Sequence, residues 1–114
     1  MTLSNADVAE LTDFRRDLHR FPEVSGDEVE TAKRVVSALG GLRPDQIITG
    51  LGGQGVAAVF NGVEPGETVL FRAELDALPI DEVGQPEWRS TIPGKGHMCG
   101  HDGHMTILLA LGRM

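Results

Sequence analysis

The sequence predicts a single α/β domain, and two features of its apolar pattern carry that prediction. Apolar residues recur at helical spacing within the first 40 residues and again from residue 105 onward. Between these segments, short β-rich runs alternate with glycine-rich turns. A length of 114 residues is enough for one domain and too short for two of ordinary size.

The first helix is predicted to begin after Ser4, a candidate N-cap that has Asp7 three residues further on. Its predicted stripe at helical spacing comprises Val8, Leu11, Phe14 or Arg15, and Leu18. We expect this helix to stop at Phe21, because the residue before a proline, here Pro22, avoids the α region.

A second helix is predicted over residues 27–39. Ser25 and Glu28 have the spacing of a capping box, and Gly40 with Gly41 would supply the C-terminal cap. The predicted buried stripe consists of Val29, Ala32, Val35, Val36 and Leu39. Both of these helices precede the β-rich runs.

Three strands are predicted next, at residues 46–49, 55–60 and 68–75. Residues 61–67 (NGVEPGE) are predicted to join the last two of these strands into a hairpin. Residues 81–98 have no periodicity and contain two prolines, which predicts a long loop of the kind that is functional or disordered in most domains.

A last helix is predicted over Met105–Leu111, with Asp102 as its N-cap. An apolar helix of this kind normally ends in a cap, whereas this run reaches Met114 without a stop signal. We therefore expect the sequence to be the front part of a longer protein.

The composition argues against several classes of function. The chain has 17 acidic and 10 basic residues and a net charge of −7, which disfavours nucleic-acid and anionic-membrane partners. Its one cysteine cannot form an internal disulfide, and its polar N-terminus lacks the apolar run of a signal peptide. No apolar stretch approaches the roughly 20 residues of a membrane span. We therefore expect a cytoplasmic protein.

Residues 50–55 (GLGGQG) match the Gly-x-Gly-x-x-Gly pattern of dinucleotide-binding loops. That function requires a helix directly after the glycines, whereas the residues that follow, VAAVF, form a β-type run. The pattern predicts a flexible turn between two strands, and a nucleotide-binding module is only the third hypothesis for this chain.

Nine residues, 96–104 (GHMCGHDGH), hold the single cysteine and three of the four histidines. Cys99 and His101 are separated by one residue, so an extended backbone projects both to one side. Thiolate and neutral imidazole are good ligands for zinc and similar metals, and Asp102 could cap a helix or orient an imidazole. The alternatives are a buried structural cysteine with surface histidines, and a nucleophilic Cys-His pair.

Two carboxylates close the predicted third strand. Glu74 and Asp76 lie at its C-terminal end, which is where open α/β sheets bind ligands. Being two residues apart, they point the same way if the strand geometry persists. The alternative is a solvated acidic edge, because most carboxylates are simply exposed.

Three motifs, LHRFPEVSGDE (18–28), FRAELDALPI (71–80) and GHMCGHDGH (96–104), together resemble the amidohydrolase branch of the aminoacylase and carboxypeptidase metallopeptidase family. That branch includes hippurate hydrolases, N-acyl-amino-acid amidohydrolases and hydrolases of indole-acetyl amino acids. The resemblance covers essentially all 114 residues. It implies a partial three-layer α/β/α sandwich, in which residues 1–114 form the N-terminal portion of the catalytic domain. The lid or dimerisation domain and the rest of the catalytic domain would lie outside this chain.

The resemblance also implies a site that holds two divalent cations, with zinc, manganese and nickel as the candidates. Cys99 would be the bridging ligand and His101 a second ligand, while Asp76 would match an aspartate that supports a ligand without binding the metal. The remaining ligands (a Glu and two His) and the general-base Glu lie further along in the family. We therefore expect the 114 residues alone to be inactive.

The implied reaction is hydrolysis of the amide bond of a small-molecule N-acyl amino acid, and a homo-oligomer is one expected assembly. Two cations about 3.5–4 Å apart lower the pKa of a shared water and polarise the scissile carbonyl. Glu74, Met98 and Gly96 stand where this branch usually has Asp, Ala and often Met, but no ligand type changes. The alternative hypothesis is a non-catalytic α/β fragment or pseudo-enzyme that binds at most one metal weakly.

Overall fold

The computed structural model describes residues 2–114 and contains three helices and two strands within that range. The helices are α1 (Asn5–Arg20), α2 (Val29–Gly40) and α3 (His101–Arg113), and the strands are β1 (Gln46–Leu51) and β2 (Gly55–Val59). This mixture of elements confirms the predicted α/β class.

The two ends of α1 confirm the prediction from local sequence. The Ser4 side chain accepts a hydrogen bond from the backbone N–H of Asp7 at 3.0 Å, and the Asp7 carboxylate accepts one from the backbone N–H of Ser4 at 2.8 Å. This reciprocal capping box satisfies N–H groups that the start of a helix leaves unpaired. The helix ends at Arg20, and Phe21 takes the C-cap position just before Pro22.

Helix α2 begins two residues later than predicted, and its predicted capping box is wrong. Glu28 occupies the N-cap position without a side-chain cap bond. The carboxylate of Glu23 instead accepts hydrogen bonds from the backbone N–H groups of Glu30 and Thr31. Because the Glu23 carboxylate, from outside the helix, accepts hydrogen bonds from these amides, it replaces the predicted Ser25 cap.

Strands β1 and β2 form an antiparallel hairpin. Ile47 pairs with Ala58 and Ile48 with Ala57, and the register shifts between Ile48 and Leu51. Residues 52–54, inside the glycine-rich run 50–55, make the turn, in which Gly53 has a φ of 127° that other residues rarely adopt. The prediction that this run leads into a strand is confirmed.

The predicted strand over residues 68–75 is wrong for the described part of the chain, and so is the hairpin that residues 61–67 were to close. A strand needs a neighbour to accept and donate its backbone hydrogen bonds. Within residues 2–114, β2 pairs only with β1, and residues 68–75 have no paired strand. Val69, Leu70 and Phe71 are accordingly 69%, 82% and 61% exposed.

Regular pairing resumes just after this segment. Ala77 forms a parallel bridge with Val24, and Leu78 exchanges two 3.0 Å backbone hydrogen bonds with Gly96. The Leu78–Gly96 pair closes the base of the long loop, residues 81–98, which was predicted correctly as irregular structure.

The long loop is fastened to the C-terminal half of α1. The backbone N–H and the hydroxyl of Thr91 both donate to the carbonyl of Arg20, at 2.9 and 2.7 Å. The guanidinium of Arg16 lies 3.9 Å from the ring centre of Trp88, within cation–π range. The loop is therefore held by the Leu78–Gly96 pair at its base and by contacts of Trp88 and Thr91 with α1.

Helix α3 begins at His101, four residues earlier than predicted, and Asp102 is not its N-cap. Gly100 holds the N-cap position with a φ of 78°, a left-handed conformation that favours glycine. Asp102 instead lies in the first helical turn, and its side chain is fully buried. The early start places His101 and His104 three residues apart on one helical face.

Helices α1 and α3 pack against each other in antiparallel directions. Near the end of α3, Arg113 lies 3.0 Å from Asp7 at the start of α1, whereas Asp102 at the start of α3 contacts His19 near the end of α1. The buried apolar residues of the two helices are Leu11, Leu18, Met105 and Leu109. No helix within residues 2–114 is both long enough and apolar enough to cross a membrane.

We expect Leu18→Ala to lower the free energy of unfolding by about 2–5 kcal/mol, since Leu18 is 1% exposed and its truncation leaves a cavity. Val8→Ala, on the same helix at a position that is 50% exposed, is the matched control and should change it by at most about 0.5 kcal/mol. Urea denaturation measures both values. Equal effects of the two substitutions would contradict the placement of the core.

Candidate metal centre

His101 opens α3 and is held by Asp76. Its ring Nδ1 lies 2.8 Å from the backbone carbonyl oxygen of Asp76 and 3.0 Å from the carboxylate Oδ1. An Nδ1–H that donates to these oxygens leaves Nε2 unprotonated, which is the form in which histidine binds metals. The structure therefore brings together two of the three residues that the sequence selected for the site.

Glu74 and His104 complete a group of potential ligands around His101. Glu74 Oε2 lies 3.7 Å from His104 Nδ1, and the two imidazole rings have centroids 5.7 Å apart. One potential ligand atom from each of Glu74, His101 and His104 lies within 4.8 Å of the other two. Carboxylate and imidazole form a donor set that suits borderline divalent metals, so these side chains fit a cation.

The elements that carry this group explain its convergence. Glu74 and Asp76 are two residues apart, and their carboxylates both reach the first turn of α3, at His104 and His101 respectively. His101 and His104 are three apart on a helix and share a face. The predicted alignment of the two carboxylates thus holds, although residues 68–75 form no paired strand in the described chain.

Cys99 lies two residues before His101, outside helix α3. It is an exposed free thiol, and the three converging residues found within residues 2–114 do not include it. Gly100, in the left-handed conformation, separates it from His101. A metal role for Cys99 stays a prediction from the sequence, and so do the roles of His101 and Asp76.

A buried ion network lies behind the ligand group, and the sequence reasoning missed it. Asp102 Oδ2 accepts from Arg15 Nε and from His19 Nδ1, each at 2.8 Å. His19 Nε2 in turn lies 2.9–3.0 Å from the two carboxylate oxygens of Glu82. The His19 ring therefore lies between two carboxylates, one at each ring nitrogen, and joins α1, the long loop and α3.

The electrostatics of the network favour ionised carboxylates. Burial by itself raises the pKa of Asp102, but the hydrogen bond from His19 and the charge of Arg15 outweigh it, so the pKa lies below its ordinary value. Burial also opposes ionisation of Glu82, yet the His19 bond and the Ser90 backbone N–H bring its pKa below the ordinary 4.5.

One sequence signal could have revealed this network. His19 directly follows Leu18 on the face of α1 that is buried, and a histidine there needs a hydrogen-bonding partner. The sequence could not indicate which acid supplies the partner, because Asp102 and Glu82 lie 83 and 63 positions away.

Comparison with known proteins gives a consistent result. Residues 70–114 match the family model described as Peptidase family M20/M25/M40. YhaA of Bacillus subtilis, provisionally described as an amidohydrolase, is 43% identical over 92% of this chain and 26% of its own length. An N-acetyldiaminopimelate deacetylase of Anoxybacillus flavithermus is 37% identical over 86% of this chain and 26% of its own length. The chain thus spans about a quarter of the length of these relatives.

A solved structure agrees with the sequence matches. The YXEP protein of Bacillus subtilis, described as a dinuclear metal binding peptidase from the M20 family, superposes with a TM-score of 0.88 and 36% identity. The match covers 93% of this chain and 30% of that protein.

We expect the free energy of unfolding to fall as the pH drops below about 4.5. The Glu82 carboxylate has a pKa below its ordinary value of 4.5, so its ionised form stabilises the fold, and this contribution is lost as the group becomes protonated. Glu82→Gln should cost about 1–3 kcal/mol at neutral pH and make the acid-side decline shallower, with Asp102 still contributing. Glu87→Gln, an exposed glutamate of the same loop, is the control. Unfolding free energies between pH 3 and 7 measure the effect, and identical slopes for wild type and Glu82→Gln would contradict it.

Proposed function

Because this chain belongs to the peptidase family M20/M25/M40, we propose that the full-length protein is a metal-dependent hydrolase of the amide bond in N-acyl amino acids. The similarity to an N-acetyldiaminopimelate deacetylase supports an N-acylated amino acid as the substrate class. Since the relatives are about four times as long as the match, we propose that this chain supplies the N-terminal portion of a catalytic domain.

The convergence of Glu74, His101 and His104 on one point is the observation that carries this proposal. Three side chains with nitrogen and oxygen donors fit a divalent cation, and His104 is 54% exposed, so a cation can reach the group from solvent. We propose His101 and Cys99 as ligands, with Glu74 and His104 as further donors on the same side. Zinc, manganese and nickel suit a mixed thiolate, imidazole and carboxylate set.

Each residue then has a definable task. Asp76 accepts the Nδ1–H of His101 and so fixes the tautomer that binds metal. Asp102, anchored by Arg15 and His19, holds the first turn of α3 and with it the position of His101. When bound, a pair of divalent cations would polarise the amide carbonyl and acidify the attacking water.

The direct test is hydrolysis by the full-length protein after its metals have been removed with a chelator. Zinc, manganese and nickel are added back one at a time, and release of the amino acid from N-acetyl and N-benzoyl substrates is measured. We expect metal-dependent turnover. A protein that stays inactive with each metal on both substrates would favour the non-catalytic alternative.

We expect Cys99→Ala to lower the turnover of the full-length protein by at least about 100-fold, and Cys99→Asp to retain part of it. A carboxylate can bridge two cations as a thiolate does, whereas a methyl group cannot. Met98→Ala, at the exposed neighbouring position, is the control and should keep turnover near the wild-type value. Wild-type turnover in Cys99→Ala would remove Cys99 from the site.

We expect Asp76→Ala to weaken zinc or manganese binding by about 10–100-fold, since a metal-binding histidine depends on the acceptor behind its second nitrogen. Asp13→Ala, an exposed aspartate on α1, is the matched control. Competition with a chromogenic chelator gives the affinities without reference to activity. Equal affinities for wild type and Asp76→Ala would show that Asp76 does not support a ligand.

A further inference from the structure

His97 is the one histidine of the 96–104 run that neither the ligand group nor the buried network uses. It is 4% exposed, and both of its ring nitrogens are buried with no hydrogen-bonding partner among residues 2–114. A buried imidazole without partners is unfavourable, because it loses its hydrogen bonds to water and gains none in exchange.

A second buried atom with unused hydrogen-bonding capacity belongs to Asp102. Its Oδ2 is shared by Arg15 and His19, whereas its Oδ1 is buried and has no partner among the described residues. His19 cannot serve His97, because both of its nitrogens already face carboxylates. The two rings have centroids 6.4 Å apart, so His97 lies beside the network without being bonded to it.

His97 lies beside His19 of the ion network and two residues before Cys99 in the sequence. Each of the two ring nitrogens of His97 can form a hydrogen bond, and Asp102 Oδ1 can accept one. Complementary groups of this kind are typical of a buried water site, where a water makes about three hydrogen bonds.

We propose that His97 and Asp102 Oδ1 together bind one buried water molecule, and that His97 is thereby a positioning residue for the loop that carries Cys99. The inference rests on the proposed metal-dependent function. It adds a residue and a bound water that would position the segment carrying Cys99, without contacting the substrate.

The backbone shows how this link would act. Gly96 is fastened to Leu78 by two hydrogen bonds, two residues beyond Asp76. His97 follows Gly96, and a water joining its ring to Asp102 would fasten the same segment to α3. The segment before Cys99 would then be held both by the Gly96–Leu78 pair and by the link from His97 to α3. Without the link, only the Leu78 pair and the start of α3 would hold it.

The experiment compares His97→Leu, His97→Asn and His97→Gln in the full-length protein. Cobalt(II) affinity is measured by chelator competition and by the absorption of the bound ion, which reports its ligand geometry. We expect His97→Leu to weaken cobalt binding by about tenfold or more and to alter the spectrum, as loss of a supporting group does. Asn or Gln, each with a donor and an acceptor, should recover part of both.

Thr31→Val is the matched control, because Thr31 is fully buried and its hydroxyl also has no partner among residues 2–114. It should leave the cobalt affinity unchanged whatever it does to the melting temperature. Cobalt affinity within twofold of wild type in His97→Leu would overturn the positioning role, and so would equal losses in the Leu, Asn and Gln variants.

A measurement on the unmodified protein tests the water without any variant. In metal-free protein labelled at histidine nitrogen, we expect one slowly exchanging His97 ring N–H with a cross-peak to a bound water. A rapidly exchanging N–H with no such cross-peak would overturn the water site, even if His97→Leu failed to fold. A wild-type protein that binds no cobalt and hydrolyses no N-acyl amino acid would instead contradict the proposed function.

Discussion

The buried carboxylate of Asp102 is the constraint on which the rest of the structure depends. Its side chain has no exposed surface, and it is stable there as an anion because Arg15 and His19 donate to the same oxygen. Removing one partner from a buried charge costs about 3–5 kcal/mol, far more than a surface ion pair contributes. Through His19 the constraint extends to Glu82, so one anion fixes the relative positions of α1, the long loop and α3.

This arrangement decides where the ligand group stands. His101 precedes Asp102 and His104 follows two residues after it, so the positions of both imidazoles depend on a helical turn that Arg15 and His19 hold through Asp102. Glu74 and Asp76 come from a less constrained segment, which has no paired strand within residues 2–114. In the candidate centre, the two histidines are thus held by α3. The two carboxylates are held mainly by the backbone bridges of Ala77 and Leu78, which follow them in the chain.

Features determined by neighbouring residues could be predicted from the sequence, and features determined by distant ones could not. Ser4 and Asp7 cap each other across three residues, so the start of α1 followed from local chemistry. The start of α2 did not, because Glu23 supplies the acceptors from before the predicted cap. Residues 68–75 have the composition of a strand but lack a neighbour in the described chain. The spacing of Cys99 with His101, and of Glu74 with Asp76, indicated a site, whereas no local pattern could pair His19 with Asp102.

The antiparallel packing of α1 against α3 has a consequence for how the chain acquires its fold. The contacts that join the two helices link residues 83 and 106 positions apart in sequence, for His19–Asp102 and Asp7–Arg113 respectively. Such long-range contacts slow folding, because the entropy of closing a large loop is lost before any packing is gained. During synthesis α1 emerges before α3, and the 80 residues between them must follow before α3 can cover its apolar face. Until α3 has been synthesised, the buried apolar side chains of α1, Leu11 and Leu18, therefore lack the cover that α3 supplies.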